Sequence, residues 1–569
     1  MAIIVKLKIL NINAYMSTAI LEGYGDLTVN DGSTDFLIVK PTPFVKNNTK
    51  VKRWWRKNYS EVTYEACAII EISDFYIVVS CAQDVELKMI YNGTDTLTFD
   101  VGYDNPGDGN VERILVVPKT EFHNPVNYDD YYYDYSIRSL RKNSYGTGVV
   151  FDVRFANADL DLRFAQNKTL TDNVSGNNLV TFTRASSGTY VGSDGLIKTA
   201  ATNEARFDHS ATGESLGLLM EEARTNIINS NYTSSSPIGG SSLSEVTSIT
   251  NPDGTTGTVK VTALANNSRH EIQKTSGPPA TDHTHSVFVK KGNHRYVGLA
   301  QGGASNNIHM IFDFDTKTIT DTGAVNNGTF KSAGFEEYAN GWIRLYLVGI
   351  TGGTVLRTFL AQNDQQDGLA NWTATGNEFF YIWGAQKEAG TFPTSFISST
   401  GSTTRAADVA EITGTNFSSF YNSTEGTIYS EAAFAGLADA SYPRIYTFWD
   451  PSSTEKYHRL LITTATAPFL LQARTRNSGT QASFNSNAVT VGQVLKTAYA
   501  YKANDFDVSF SQGTSGATSD TSGTIPTGVN QVRIGARAED GNYKMTGHIK
   551  RLAFFAPRLT NSELGQLTS

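Results

Sequence analysis

His309-Met310-Ile311-Phe312-Asp313-Phe314-Asp315 puts Met310, Phe312 and Phe314 on one side of an extended chain, with His309, Ile311, Asp313 and Asp315 on the other. Side chains alternate across a strand, so this period of two predicts a strand with one face in a core. Further along, Trp342-Ile343-Arg344-Leu345-Tyr346-Leu347-Val348 and Phe379-Phe380-Tyr381-Ile382-Trp383 carry large side chains at nearly every position. That is the pattern of strands buried on both faces. Gly and Asn turns separate the runs, and residues 229–405 therefore read as a two-sheet jelly roll.

The composition extends this reading to the whole chain. Its 569 residues exceed the roughly 250–300 that a single core supports, so about three to five domains are expected. Charged residues at 18%, aromatics at 11%, 49 Gly and 15 Pro suit short strands joined by many turns. The predicted fold class is all-β and multi-domain: a β-rich N-terminal domain (1–148), a connecting segment (149–228), and two C-terminal β-sandwich modules (229–405 and 406–569). In the first domain Ile3, Val5, Leu7 and Ile9 alternate with lysines, and Val62 to Ile72, Phe75 to Cys81 and Val111 to Val117 read as further strands. At the other end Ile549 to Phe555 reads as a strand that Pro557 stops. Thr560 with Glu563 forms a capping box, predicting a short helix pinned by Leu564 and Leu567.

The 47 basic and 55 acidic residues give a net charge of −8, spread along the chain, so nucleic-acid binding is not expected. No apolar run approaches the ~20 residues of a membrane helix, and membrane insertion is not expected either. Two cysteines imply assembly in a reducing cytoplasm. With Ser73-Asp74 as a two-residue hairpin turn, Cys67 lies opposite Ser80 and Cys81 opposite Ala66, so the sulfurs point to opposite faces and free thiols are predicted.

Five stretches carry a family resemblance. Phe182 to His209, FTRASSGTYVGSDGLIKTAATNEARFDH, followed by GLLMEEARTN, Gly217 to Asn226, resembles a block of phage tail-fibre and related virion proteins. YIWGAQKEAGTFPTSFISSTGSTTRAADV, Tyr381 to Val409, resembles the close of carbohydrate-binding-like modules in phage fibres. EGTIYSEAAFAG, Glu425 to Gly436, and GHIKRLAFFAPRLTNSELGQL, Gly547 to Leu567, resemble the ends of laminin-G or concanavalin A-like sandwiches. The resemblance implies a virion structural protein, a tail fibre or receptor-binding protein, with other virion proteins and host surface polysaccharide or lipopolysaccharide as partners. It also implies a homo-oligomer with a trimer favoured, assembled in the host cytoplasm. Two alternatives stay open: a head-decoration, head-fibre or adaptor protein, and a polysaccharide depolymerase. Concanavalin-like modules often hold calcium, which leaves calcium open as a ligand with no coordinating residues identified, and no other cofactor is expected.

No nucleophile–base constellation, P-loop, GxSxG elbow or zincin helix occurs, and no catalytic residues are assigned. Glu221-Glu222 and Glu336-Glu337 read as solvated pairs, since adjacent residues in a strand face opposite ways. Asp282-His283-Thr284-His285 offers metal-capable side chains but only two histidines on one face, and Asp104 to Asn110 lacks the pattern of a calcium loop, so no metal site is assigned. Sugar recognition needs an exposed ring beside hydrogen-bonding groups. Trp342 and Trp383 sit in apolar strands and read as core, whereas Trp372, in a Gly-flanked loop with Asn371 and Asp367, is the candidate sugar contact or else a lid folded onto the core. In the first domain Trp54 and Trp55 in a basic run, and Tyr131, Tyr132 and Tyr133, are candidates for a virion-docking interface.

Overall fold

The computed structural model describes residues 153–155 and 157–569, apart from 278–280, 304–305, 352, 366–369, 437–441, 464–467 and 538–542; before residue 152 it describes the backbone of strands alone. The chain forms two compact units, Met1–Ala158 and Asp159–Ser569. It is all-β, and among the described residues no helix is long and apolar enough to cross a membrane.

In the first unit Ile3–Ile9 lies between Ile77–Cys81, antiparallel, and Glu112–Val117, parallel, with Ala68–Ile72 at the edge. The expected hairpin after Ile72 forms with a different register. Ile72 pairs with Ile77, with four residues between them in place of two, and a bulge near Ile69 sets Ser80 opposite Ala68. Cys81 is paired with Ile3. The facing predicted for the two cysteines therefore does not follow from the pairing, and their thiols lie outside the described residues. Lys52–Lys57 and Tyr131–Asp134 are strands, while the side chains of Trp54, Trp55 and Tyr131 to Tyr133 also lie outside the described residues.

The second unit holds two sandwiches. One six-stranded sheet runs Ile238–Gly239, His270–Thr275, Val355–Leu360, Tyr296–Gly303, Asn306–Asp313, Thr318–Asn326. The other runs Ser241–Thr250, Thr256–Ala263, Phe379–Ala389, His283–Lys291, Trp342–Ile350, Thr329–Tyr338. Met310 and Phe312 from the first sheet meet Val287, Leu345, Leu347, Phe380 and Ile382 from the second in one core. The run Trp342 to Val348 is buried on both faces as its pattern predicts, whereas in Phe379 to Trp383 only Phe380 and Ile382 are fully buried and Phe379, Tyr381 and Trp383 are half-buried. Ile343, Leu345 and Leu347 point inward, while Trp342 turns outward with Phe288 and packs on Ile197 and Phe396.

The C-terminal sandwich is discontinuous in sequence. Its first sheet is built from Glu425–Gly436, Leu495–Lys502, Asp505–Phe510, Ser519–Asp520 and Thr546–Phe555, and is completed by Leu160–Leu162, Phe207–His209 and Ser215–Met220. Its second sheet is completed by Thr181–Thr183, which pairs with Val409–Thr413. The segment expected to be a connector thus supplies strands to both layers. Leu160, Leu162, Phe182, Leu218 and Met220 enter the same core as Phe448, Leu460 and Phe554. The jelly roll is inserted within this sandwich, and the chain enters and leaves it through paired strands, Arg224–Asn226 and Thr403–Arg405.

Glycine is required where this weave is tightest. At Gly217, φ is +102° and a Cβ would lie 2.4 Å from the Ile549 carbonyl oxygen, so the strand contributed by the early segment fits beside Thr546–Phe555 only without a side chain. The closing helix Asn561–Thr568 has the predicted capping box, with Leu564 and Leu567 buried.

Candidate functional site

The hairpin Gly188–Val191 with Ile197–Ala200 lies where the two sandwiches meet, and two depressions open beside it. The charged residues of the Phe182–His209 block and of Thr403–Asp408 converge next to it. Arg206 donates from Nη1 to Glu221 Oε2 (2.7 Å) and from Nη2 to Asp408 Oδ2 (2.5 Å). Arg184 Nη1 reaches Asp408 Oδ1 at 3.2 Å, and Arg405 Nε lies 3.3 Å from Glu221 Oε2. The Glu221 amide donates to Asp408 Oδ2, and Ser395 donates to Glu221 from both its amide and its hydroxyl. All five charged side chains are buried. Burial opposes the charge on Glu221, but Arg405 and Arg206, with the Ser395 bonds, outweigh it and hold this carboxyl far below the usual carboxylate range. Glu221 is therefore no solvated surface acid. Its neighbour Glu222 accepts from Arg224 Nε at 2.7 Å.

One depression is a cleft lined by groups from both sandwiches, among them Asp208, Glu336, Tyr338, Arg344 and His548. Asp208 accepts from the Val191 amide (2.6 Å) and meets His548 Nε2 at 2.8 Å. Arg344 donates to the Thr394 carbonyl (2.7 Å) and Ser286 hydroxyl (3.0 Å) and lies 3.5 Å from Glu336, which also accepts from Tyr338 at 3.4 Å. Glu337, by contrast, is an exposed partner of Lys317.

The second depression, about 1200 Å³ and open to solvent, is a groove over the jelly roll's second sheet. Asn231, Tyr232, Asn251, Asp253, Thr255 and Trp383 contribute its polar and aromatic lining. Trp383, expected in the core, is half-buried: it leans on Phe396 (4.7 Å between centroids) and Phe288 (5.2 Å) while bordering this groove.

The predicted sugar platform is not presented. Trp372 is 7% exposed, donates from Nε1 to the Leu360 carbonyl (3.2 Å), and is packed between His294, stacked at 5.7 Å, and His270, edge-on at 4.8 Å. It is a lid on the jelly-roll core, since burying its ring removes more apolar surface from water than loop exposure allows. Asn371 is exposed, and Asp367 lies outside the described residues. His285 is fully buried; burial, then the Lys387 charge, push its pKa down to about 3. His283 is only partly buried, and among the described residues no group of three His, Cys, Asp or Glu side chains comes together as metal ligands. The Asp104–Asn110 loop lies outside the described residues.

The sequence reading missed Arg184, Arg206, Arg405 and Asp408, although all four stand inside the stretches that carry the resemblance. Asn251 and Asp253 sit in an ordinary Asn-Pro-Asp-Gly turn, which gives no local sign of a groove.

No protein-family model matches the chain, and no curated protein sequence matches it. Among solved structures it is similar to domains LG4-5 of the mouse laminin alpha1 chain, at 8% identity over 52% of this chain and 89% of that one, with a TM-score of 0.18. It is similar to Trypanosoma rangeli sialidase in complex with sialic acid, at 8% identity over 98% of each chain and a TM-score of 0.22. A third similarity is to the Bacteroides ovatus xyloglucan PUL GH43B, at 11% identity over 73% of this chain and 92% of that one, with a TM-score of 0.18. Similarities at this level leave the architecture to rest on the strand pairing and the two cores described above.

Proposed function

We propose that this chain is a non-enzymatic structural component of a phage virion, a tail fibre or receptor-binding protein whose joined sandwiches contact host surface glycan. The virion part of the reading rests on the resemblance of Phe182–His209 and Gly217–Asn226. The observation that carries the rest is where the charges of those stretches go: Arg184, Arg206 and Glu221 meet Arg405 and Asp408, from the stretch Tyr381–Val409, in a buried clamp between modules. A glycosidase needs two carboxyl groups facing its substrate. Here Glu221 is enclosed by arginines, Asp208 is held by Val191 and His548, and Glu336 faces Arg344 and Tyr338. Those arrangements favour binding over hydrolysis. Modest binding per site, multiplied across a homotrimer, suits attachment.

The test is to present the purified full chain with a panel of bacterial cells and of their lipopolysaccharides and capsular polysaccharides, measuring both retention and new reducing ends. Retention without reducing ends is expected. Release of reducing ends would replace this reading with a depolymerase. Absence of retention on every strain, with density on the particle assigned to the head or a joint, would replace it with a decoration or adaptor protein.

A further inference from the structure

We infer that the groove bordered by Asn251, Asp253 and Trp383 is a binding site for uncharged pyranose units of a glycan chain, a proposal that rests on the glycan-binding reading above and gives it a place and a ligand class.

Asn251 supplies the first argument. The residue is 2% exposed and lines the groove; Nδ2 donates to Thr255 Oγ1 at 3.0 Å, while Oδ1 has no hydrogen-bond partner among the described residues. A buried amide oxygen without a donor is costly to the fold, so its persistence at the wall of a depression marks a place where an incoming donor is rewarded. Sugar hydroxyls are such donors. Asp253 adds a second acceptor: Oδ1 takes the Thr255 amide (3.0 Å) and hydroxyl (2.6 Å), while Oδ2 makes no hydrogen bond among the described residues. A wall of acceptors matches a ligand rich in O–H groups.

Trp383 supplies the second argument. Phe396 and Phe288 brace one side of the indole, so it keeps its orientation and loses little freedom when a ligand arrives, while its remaining surface borders the groove. An apolar ring next to hydrogen-bonding groups is what the apolar face and hydroxyl rim of a pyranose require. Tyr232 extends the apolar wall, held in place by Lys274 over its ring at 4.4 Å.

Charge selects the class of sugar. The groove's lining includes no Lys, Arg or His, and Asp253 is its one charged residue. A uronate, sialate or phosphorylated sugar would set its anion near this carboxylate with no cation in the lining to answer it, the Lys274 ammonium being engaged by the Tyr232 ring and the Asn231 carbonyl, so neutral hexoses and N-acetylhexosamines are favoured.

The experiment uses the full chain on a glycan array of neutral polymers (glucans, mannans, galactans, N-acetylglucosamine oligomers) and acidic ones (hyaluronan, polysialic acid, alginate), with affinities of positives measured in solution. Two variants accompany it. Trp383→Ala removes the ring, and Thr256→Trp fills the groove from an exposed rim position without touching the core. Binding to a neutral glycan is expected, with each variant weakening it about tenfold or more, as loss of a central aromatic contact does. Full-strength binding by Thr256→Trp would overturn the site while leaving the glycan-binding reading intact. Binding confined to acidic glycans would overturn the ligand class. Binding to nothing on the array or on the cell panel would remove the glycan-binding reading itself, and this inference with it.

Discussion

On one flank of the hairpin Gly188–Ala200, Arg206 lies between Glu221 and Asp408, and every charge has an opposite within 3.5 Å. On the other flank, Asn251 keeps a buried oxygen with no hydrogen-bond partner among the described residues. Both flanks are polar and both lie where modules join, yet they do opposite work. The first has turned its polarity inward: three guanidiniums and two carboxylates pair with one another and tie the early strands to the late ones, while Arg206 Nε and Arg405 Nε make no hydrogen bond among the described residues. A buried ion network adds little stability over an apolar core, but breaking it is severe, because a charge is stranded away from water. The second keeps the Asn251 oxygen buried at the wall of a groove, with the partly exposed Asp253 beside it. Conserving polar atoms inside a fold and offering them to a ligand are alternatives, and this chain uses a single hairpin to separate them.

The contrast can be broken most sharply at Asp408. Asp408→Ala leaves Arg184 and Arg206 short of their shared partner and is expected to cost about 3–5 kcal/mol, read as a lower urea midpoint of the second unit. A loss below about 1 kcal/mol would mean that the clamp is a solvated cluster and not a joint. An intermediate effect is expected from acid. His285 and His458 are buried, each with a pKa pushed from 6.5 down to about 3, chiefly by burial, so each takes up its proton on unfolding. Their contribution to stability is complete above about pH 6.5 and is lost as the pH falls towards 3. Glu221, lowered from 4.5, adds to the loss below pH 4.5. Urea midpoints should therefore decline below pH 6.5 and more steeply below 4.5, with the second steepening reduced in Glu221→Gln. A midpoint flat down to pH 4 would show those groups to be hydrated. The smallest effect belongs to Thr560, outside both flanks. Its hydroxyl accepts the Glu563 amide while Glu563 returns a bond to the Thr560 amide (2.7 Å), so Thr560→Ala should cost about 1 kcal/mol and leave glycan retention unchanged.

Trp372 and Trp383 show how far local pattern reaches. Loop context left Trp372 open between a sugar contact and a lid, and strand context made Trp383 core; in the fold the loop ring is the lid, closed on His270 and His294, while the strand ring borders a groove. Neighbouring residues report what a side chain is attached to, not what stands across from it. The same limit governs the pairing after Ile72, where four residues in place of two separate Ile72 from Ile77 and a bulge near Ile69 shifts the register further.

By itself the sequence determined the features that are local in origin: the alternation around Met310, the doubly buried run of Trp342 to Val348, the strand of Phe379 to Trp383, and the capped helix at Thr560. Each arises from periodicity or from bonds between residues a few positions apart, so the order of side chains suffices. Only the tertiary structure decided that residues 160–220 belong to the last sandwich, that the jelly roll is inserted within it, and that Arg184 meets Asp408 across 224 positions. Pairings at that separation leave no period in the chain. They are set by which edges and faces remain unburied once the local elements have formed.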